Sequence, residues 1–288
     1  MLDIKEEELK KILPADGPSI NEVKKYLKKY NDEYIIIKCG GSVLIENNLF
    51  DIFCKNIVVL NKIGFTPIIV HGGGKRISNK LNNLGIESKF INGLRVTGKE
   101  IIQVVEDVLI EFNKEIVMSL EKQNCKSQSI HTKENNIFSV QRENQELGFV
   151  GYPTKIKKSM IDKIVEEKKV PVIAPLGLSA DNKTYNINAD TAAGSIAKKL
   201  KARRLIIMSD VEGVLDSNDK LIPEINSGSI KNLIEKKIIT GGMIPKINNC
   251  LDVASNGVKG VVIIDGRKNH SLLFELLSDN GSGTLIRQ

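Results

Sequence analysis

Short apolar runs alternate along the chain with longer segments in which apolar residues recur every three or four positions. A short run bounded by glycine or proline is typical of a buried strand, and the longer spacing is typical of an amphipathic helix. Apolar runs predict strands at 34–38, 67–71, 170–175, 205–209 and 261–265. Helical spacing predicts helices at 48–63, 97–122, 191–200 and 246–254, with Thr97 as the cap of the second. This alternation predicts an α/β fold with a largely parallel sheet covered on both faces.

Another helix is predicted before the first strand. Ser19 and Glu22 have the spacing of a capping box. The apolar residues that follow recur at helical intervals: Ile20, Val23, Tyr26, Leu27 and Tyr30. Because this helix precedes the sheet, its apolar stripe can pack on its own domain or on a partner chain, and the sequence leaves both open.

Two predicted strands run directly into glycine-rich loops. The first delivers Lys38 and then Gly40-Gly41, and the second runs into Gly72-Gly73-Gly74. Glycines let backbone N–H groups approach a ligand, and a helix start favours negative charge, so both loops suit an anion. The second loop is neither a Walker A motif nor a dinucleotide fingerprint. A strand that ends in glycines is often only a turn, so phosphate binding and a plain turn both stay open.

Several polar residues are candidates for ligand contacts. Arg95 offers a planar fork that suits a carboxylate, although a surface ion pair is the alternative. Asn186, Asn188 and Asp190 share one side if their segment is extended, where they either cap a helix or line a site. Lys246 stands at a predicted helix start, which disfavours a cation, and this indicates that it serves a ligand.

Composition narrows the classes of protein. The chain of 288 residues is 41% hydrophobic and 27% charged, as in ordinary globular proteins. No apolar run approaches the roughly 20 residues of a membrane span. Four cysteines without a C-x-x-C pair predict free thiols in a reducing compartment, the cytoplasm, and no zinc. The net charge of +7 comes from dispersed lysines, and aromatic residues make up only 5%, so a solvated surface is favoured over a nucleic-acid face.

Seven motifs, in order, resemble those of the amino acid kinase family: IIIKCGGS, VHGGGK, NGLRVT, LGFVG, NINADTAA, SDVEGVL and ITGGMIPK. The resemblance covers about Ser19 to Gln288 and implies an αβα sandwich. It implies a helical extension at 1–30, a lobe for N-acetyl-L-glutamate at 31–180 and a lobe for ATP at 181–288. The most similar members use ATP and Mg²⁺ to phosphorylate the side-chain carboxylate of N-acetyl-L-glutamate, the second step of arginine biosynthesis.

The resemblance also implies roles for single residues. Lys38 and Lys246 are implied to stabilise the moving phosphoryl group, and Asp190 to organise both lysines. The implied contacts of the substrate are Gly73, Gly74, Arg95 and Asn186. The implied contacts of phosphate and nucleotide are Gly40, Gly41, Asp210, Gly213, Gly242 and Met243. No residue is implied to bind the magnesium ion directly.

The two ends of the chain resemble those of arginine-inhibited members. These have an additional N-terminal helix that swaps between dimers, which makes a ring-like hexamer, a trimer of dimers. Their C-terminal signature resembles DGRKNHSLLFE at 265–275 together with two later glycines. The residues implied to bind arginine are His270, Glu275, Gly281 and Gly283. Some members bind a trimeric PII-type regulator of nitrogen signalling, and the sequence leaves open whether this chain does.

The chain departs from the family pattern at three places. SQSIHTKENN at 127–136 replaces an LSGKDG-like turn, which leaves open what the excursion at 125–151 contacts. Cys39 stands where a bulkier residue is common, and Lys75-Arg76 replace Pro-Gln. A sister kinase of aspartate, glutamate, carbamate or UMP is an alternative, but it would not need Arg95 or the C-terminal signature. A non-catalytic relative would be expected to lose a residue of the charged trio, which is complete here.

Overall fold

The computed structural model describes residues 4–31, 33–44 and 46–288. The helices in this part are α1 (Glu6–Ile12), α2 (Ile20–Tyr30), α3 (Asn47–Lys62), α4 (Gly74–Asn83), α5 (Lys99–Glu121), α6 (Lys158–Glu166), α7 (Ala189–Leu200), α8 (Ser227–Glu235), α9 (Met243–Ser255) and α10 (Ser271–Leu277). The strands are β1 (Tyr34–Cys39), β2 (Thr66–His71), β3 (Phe90–Ile91), β4 (Leu94–Arg95), β5 (Ser127–Ile130), β6 (Phe138–Arg142), β7 (Gly151–Ile156), β8 (Val170–Ile173), β9 (Leu176–Leu178), β10 (Thr184–Asn186), β11 (Arg204–Ser209), β12 (Glu224–Asn226), β13 (Val261–Asp265) and β14 (Gly283–Arg287). No helix in these ranges is both long and apolar enough to cross a bilayer.

An eight-stranded sheet forms the centre, in the order β12-β14-β13-β11-β1-β2-β8-β5. All neighbours pair in parallel except β13 and β14, which are antiparallel. This confirms the predicted α/β fold with a largely parallel sheet. The carboxyl ends of the six parallel strands therefore meet at one edge, where ligands bind in open sheets of this kind.

Helices cover both faces of the sheet. Alternate residues of β1 point to opposite sides, so Ile35 and Ile37 belong to one buried cluster and Ile36 to another. The first cluster includes side chains of α3, α5 and α10, and the second includes side chains of α6, α7 and α9. The αβα sandwich implied by the family resemblance is thus confirmed.

The polar excursion at 125–151 is divided between two sheets. Its first strand, β5, joins the edge of the central sheet by pairing with β8. Its second strand, β6, forms an antiparallel pair with β7 in a smaller sheet, in the order β10-β9-β6-β7. The predicted lobe boundary at residue 180 falls between β9 and β10, which pair with each other. The division into a substrate lobe and an ATP lobe stays a prediction.

Helix α2 begins where the capping box predicts. The Ser19 side chain accepts a hydrogen bond from the Glu22 N–H, and Glu22 bonds back to Ser19. Val23 and Tyr30 are buried in the cluster on the α3 face, and Tyr26 bonds to Asp279 beyond α10. Within one chain, α2 therefore packs on its own domain, one of the two alternatives. The first three residues of the implied extension lie outside the described part.

Two predicted helix starts are wrong by a few residues. Gly98 is the N-cap of α5, and the Thr97 hydroxyl instead donates to the Arg95 carbonyl at 2.9 Å. The Thr97 side chain therefore bonds to the backbone of β4, the strand that carries Arg95, and does not cap the helix. Helix α9 begins at Met243, so Lys246 lies at the end of its first turn.

Candidate active site

Three charged residues meet at the carboxyl edge of the sheet. Lys38 lies near the end of β1, Asp190 in the first turn of α7 and Lys246 in α9. The Lys38 Nζ is 3.0 Å from the Asp190 Oδ1, an ion pair without the alignment of a good hydrogen bond. Lys246 Nζ donates to Ser209 Oγ at 2.9 Å. The predicted catalytic trio is therefore brought together by the fold.

The pKa values of this trio reflect their burial and their opposite charges. Burial opposes ionisation of Asp190, but Lys38 and Lys246 hold its pKa below the ordinary value. Burial lowers the pKa of Lys246, and the negative charge of Asp190 opposes that shift. Asp190 is therefore ionised throughout the neutral range, and Lys246 loses its proton at a lower pH than an ordinary lysine does.

We expect kcat to fall on the alkaline side below the ordinary lysine pKa of about 10.4. Lys246 loses its positive charge as the pH rises through its lowered pKa, so the stabilisation of a phosphoryl group that the family resemblance implies for it would be lost in that direction. Asp190 has a lowered pKa and adds no acid limb near neutrality. A kcat–pH profile with saturating substrates measures this, and Lys246→Arg should move the fall to higher pH. A wild-type profile that stays flat past pH 10.4 would contradict the assignment.

Asn188 shows that both interpretations of the NINAD segment apply. Its Oδ1 accepts hydrogen bonds from the N–H groups of Asp190 and Thr191, so it caps α7. The cap fixes the first turn from which Asp190 reaches Lys38. Asn186 ends β10 and lines the cavity described below.

The two glycine loops lie side by side at the same edge. The Gly72 N–H donates to the Cys39 carbonyl at 2.7 Å, which joins the loop after β2 to the end of β1. Gly41 has φ of +64°, and a Cβ there would clash with the Asp210 carboxylate. Gly73 is the N-cap of α4, and Gly74 is its first residue. The two loops therefore present backbone that carries no side chain at these glycines, so a ligand can approach it closely. A simple turn would not need this feature in two adjacent loops.

A cavity of about 220 Å³ opens against these loops. All four predicted substrate contacts, Gly73, Gly74, Arg95 and Asn186, line it, and so do Lys38, Gly40 and Gly41. Its apolar wall comes from several elements: Ile77, Leu109, Val150 and Pro175. The cavity thus combines two cations and glycine backbone with an apolar wall, as a site for a small anionic molecule requires.

Arg95 is buried and held by the chain itself. Its guanidinium donates to Ser88 Oγ, to the Gly74 carbonyl at 2.9 Å and to Ser78 Oγ at 2.8 Å. The group also stacks on Phe90, with its central carbon 4.7 Å from the ring centroid. These bonds use three of its five N–H donors, so two others can serve a carboxylate. Burial lowers the pKa of Arg95, but its ordinary value is so high that it stays a cation.

The residues predicted for the nucleotide follow β11 and precede α9. Asp210 lies directly after β11, and Lys75 Nζ approaches its Oδ2 to 3.4 Å. Gly242 is the N-cap of α9, with open space where a side chain would be, and Met243 follows it. Gly213 has φ of +141°, and a Cβ there would clash with Thr284, so packing alone explains it. Their contacts with a nucleotide stay predictions.

Ser209 is a site residue that the sequence reasoning missed. It holds the Lys246 ammonium group and is the last residue of β11. Its position at the carboxyl end of a central strand, directly before Asp210, was the signal that could have identified it.

A second cavity, of about 280 Å³, lies between α2, α10 and β14. Glu275, Gly281 and Gly283, three of the residues implied to bind arginine, line it together with Tyr26 and Lys29. The fourth lies outside this lining: His270 Nδ1 is 2.7 Å from Asn56 Oδ1, and its Nε2 is 3.1 Å from Asp16 Oδ1. The fold thus brings together three of the four predicted effector residues.

Comparison with known proteins identifies the family. Residues 33–265 match the amino acid kinase family. An acetylglutamate kinase from Pelagibacter ubique (strain HTCC1062) is 68% identical over 288 residues, which cover 100% of both chains. The chain belongs to the acetylglutamate kinases of the amino acid kinase family. Another acetylglutamate kinase, from Caldanaerobacter subterraneus subsp. tengcongensis, is 43% identical over 267 residues, 91% of this chain and 89% of that protein. The resemblance of the seven motifs is confirmed.

A solved structure supports the same fold. N-acetylglutamate synthase from Neisseria gonorrhoeae, in complex with coenzyme A and N-acetyl-glutamate, superposes with a TM-score of 0.85 at 20% identity. The match covers 94% of this chain and 64% of that chain. At this level of identity the similarity shows the fold alone. The αβα architecture is thus shared with a synthase.

Proposed function

We propose that this enzyme transfers the γ-phosphoryl group of ATP to the side-chain carboxylate of N-acetyl-L-glutamate, and that it acts in arginine biosynthesis. The observation that carries the proposal is one cavity lined by Arg95, by both glycine loops and by Lys38, which pairs with Asp190. Arg95 is suited to the α-carboxylate and Lys38 to the reacting end of the same small molecule. The family of acetylglutamate kinases supplies the identity of that molecule.

The reaction requires two anions to approach each other. A carboxylate oxygen attacks the γ-phosphorus, the bond from that phosphorus to the β,γ-bridging oxygen breaks, and ADP leaves with the electron pair. No general base is needed because the attacking carboxylate is already ionised at neutral pH. Lys38 and Lys246 offset the negative charge from β1 and α9, and Asp190 keeps Lys38 in place. The N–H groups of Gly40, Gly41 and Gly73 are proposed to hold the reacting oxygens.

The residues at this edge fit a magnesium nucleotide. Two lysines, the open glycine loop at Gly241-Gly242 and the amino end of α9 suit phosphate oxygens. Magnesium, when bound with ATP, would neutralise the β- and γ-phosphate oxygens. Asp210, beside Gly41, is proposed to position Lys38, Lys246 and the loop that contacts the nucleotide.

The decisive experiment is ADP release with ATP, magnesium and N-acetyl-L-glutamate, with hydroxylamine present to trap the acyl phosphate. We expect turnover and hydroxamate formation with the acetylated substrate, and at least about a hundredfold lower kcat/KM with glutamate, because the free ammonium group would be buried near Arg95. Aspartate, carbamate and UMP serve as the matched alternatives. Equal turnover with glutamate, or turnover with one of the alternatives only, would overturn the proposal.

Arginine is proposed to bind in the second cavity and inhibit. Glu275 is a partly buried carboxylate there, and its Oε2 accepts a hydrogen bond from the Ser282 N–H at 2.9 Å. Burial raises the pKa of Glu275 because its negative charge is poorly solvated there. A bound cation would offset that cost and stabilise the ionised carboxylate. A guanidinium or ammonium group is the chemical complement of such a carboxylate.

Glu275→Gln should raise the arginine concentration for half inhibition at least about tenfold, because a neutral amide cannot pair with a cation in a desolvated cavity. The measurement is the inhibition curve at fixed ATP and N-acetyl-L-glutamate. Glu235→Gln, on the exposed face of α8 beside Lys231, is the control and should leave the curve in place. Inhibition that is identical in wild type and Glu275→Gln would exclude this cavity as the arginine site.

The N-terminal helix is proposed to link dimers into a hexamer. Deleting residues 1–30 should leave a dimer, whereas deleting residues 1–5, which precede α1, should leave the assembly unchanged. Light scattering coupled to size exclusion measures both. Because Val23 and Tyr30 pack in the core, circular dichroism must show that the shortened chain is folded. A hexamer that survives the longer deletion refutes the linking role.

A further inference from the structure

His71 is a fully buried polar side chain directly before the glycine loop that lines the cavity. It ends β2, and its ring is completely shielded from solvent. Nδ1 is 2.9 Å from the carbonyl oxygen of Gly72, the next residue. Nε2 is 3.1 Å from the side-chain nitrogen of Asn113 on α5. Two hydrogen-bond partners on a buried ring beside the glycine loop indicate that His71 does more than fill space in the core.

The hydrogen-bond partners determine which ring nitrogen carries the proton. The Val172 carbonyl can only accept, and the Asn113 side chain donates to it at 2.9 Å, which fixes the orientation of that amide. The amide nitrogen therefore also donates to His71 Nε2, and Nε2 is an acceptor. The Gly72 carbonyl accepts too, so Nδ1 carries the hydrogen. Burial lowers the pKa of His71 to about 4, and the ring is neutral at physiological pH.

This tautomer sets the direction of one peptide group. In a trans peptide the carbonyl and the following N–H point in opposite directions. The Gly72 carbonyl is drawn toward the buried His71 ring, so the Gly73 N–H points away from it. Gly72 and Gly73 both line the cavity.

We infer that His71 is a positioning residue: by holding the Gly72 carbonyl, it turns the Gly73 N–H toward the reacting oxygens. The inference rests on the proposed function, which puts those oxygens in this cavity. The inference assigns to His71 the orientation of the Gly73 N–H, one of the backbone donors in the proposed function.

One face of helix α5 holds the arrangement in place. Leu109, Phe112 and Asn113 are spaced three and four residues apart, so they project from the same side. Leu109 packs where a Gly73 side chain would be, and Phe112 meets the His71 ring edge-on, with centroids 5.2 Å apart. Asn113 completes the set through the hydrogen bond to Nε2. The ring is thus fixed on both of its nitrogens and on its face.

Two substitutions separate the hydrogen bond to Gly72 from the rest of the ring. The amide nitrogen of asparagine is as many bonds from Cα as the donor Nδ1 of histidine, and the amide oxygen of glutamine is as many as the acceptor Nε2. His71→Asn can therefore still donate to the Gly72 carbonyl, whereas His71→Gln reaches Asn113 instead. Both remove the imidazole, so their thermal midpoints should fall together. We expect kcat of His71→Gln to lie at least about tenfold below that of His71→Asn, because losing one fixed donor costs about a hundredfold.

A third variant gives a signature that packing alone would not produce. In Asn113→Asp the carboxylate accepts from Nε2, so the neutral ring keeps its hydrogen there and loses it from Nδ1. The imidazolium form, present at lower pH, carries both hydrogens. We expect kcat of Asn113→Asp to fall as the pH rises through the His71 pKa, a step that is absent in wild type. The other titratable groups facing the ring are Arg76 on α4, His131 after β5 and Cys39 on β1.

Both tests use the full chain in the ADP-release assay with ATP, magnesium and N-acetyl-L-glutamate. Wild type without turnover would sink the proposed function, and the inference with it. Wild type with turnover, but with equal kcat for the two His71 variants and no new pH step in Asn113→Asp, would overturn the inference alone. If the His71 variants do not fold, the pH profile of Asn113→Asp decides by itself.

Discussion

Lys38→Met is expected to lower kcat about a thousandfold while the KM values of both substrates change less than about fivefold. Methionine keeps an unbranched side chain, one atom shorter, but lacks the charge that is proposed to face the transferred phosphoryl group. It also leaves the Asp190 carboxylate with Lys246 as its nearest cation, so the remaining lysine is drawn away from the phosphoryl group. Steady-state kinetics with either substrate varied at saturation of the other measures the effect.

Lys198→Met is the matched control for this prediction. Lys198 also pairs with a carboxylate, Asp252 at 2.6 Å, but on the outer surface of α7. Exposed pairs contribute little, so kcat should stay within about twofold of wild type. A Lys38→Met enzyme that retains a tenth of the wild-type kcat would remove Lys38 from the catalytic group.

Arg95→Lys should raise the KM for N-acetyl-L-glutamate about a hundredfold, with the KM for ATP nearly unchanged. The guanidinium bonds Ser88, Ser78 and the Gly74 carbonyl while two N–H groups remain for the substrate. An ammonium group has three donors in all, so it cannot hold this shell and a carboxylate together. Initial rates over a wide range of N-acetyl-L-glutamate concentrations measure the change.

Arg203→Lys provides the comparison, because Arg203 directly precedes β11 at the opposite edge of the sheet and approaches Glu33 only to 3.9 Å. It should leave both KM values in place. If Arg95→Lys instead lowers kcat and leaves the KM for N-acetyl-L-glutamate unchanged, Arg95 does not bind the substrate in its ground state. Thermal midpoints of both variants show whether the shell around Arg95 also stabilises the fold.

The central architecture could be predicted because its signals are local. The apolar run before Lys38 is a strand buried on both faces, and such runs alternate with helical spacing, which together require a parallel sheet between helix layers. Parallel strands in turn place the loops after Lys38 and His71 at one edge. The Ser19 capping box was readable for the same reason, since its partners are three residues apart.

Details that depend on competition between neighbours could not be predicted in this way. Thr97 was predicted to cap a helix, but its hydroxyl donates a hydrogen bond to the Arg95 carbonyl instead. His270 belongs to the C-terminal signature, yet Asn56 and Asp16 take both of its nitrogens. The Thr97 hydroxyl has two local options, a cap or the Arg95 carbonyl, and spacing does not choose between them. The Asn56 partner of His270 is 214 residues away in the sequence, so only the fold brings them together.

The sequence by itself determined the fold class and the glycine loops, because side-chain period and residue type are properties of short segments, and its family resemblance implied the charged trio. Only the tertiary structure decided which groups touch: the Lys38–Asp190 pair, the Ser209 contact to Lys246 and the chain from Asn113 through His71 to Gly72. Those contacts join segments that lie 37 to 152 residues apart in the chain, except for the neighbouring Gly72 carbonyl. Their geometry follows from strand order and helix packing, which no short segment contains.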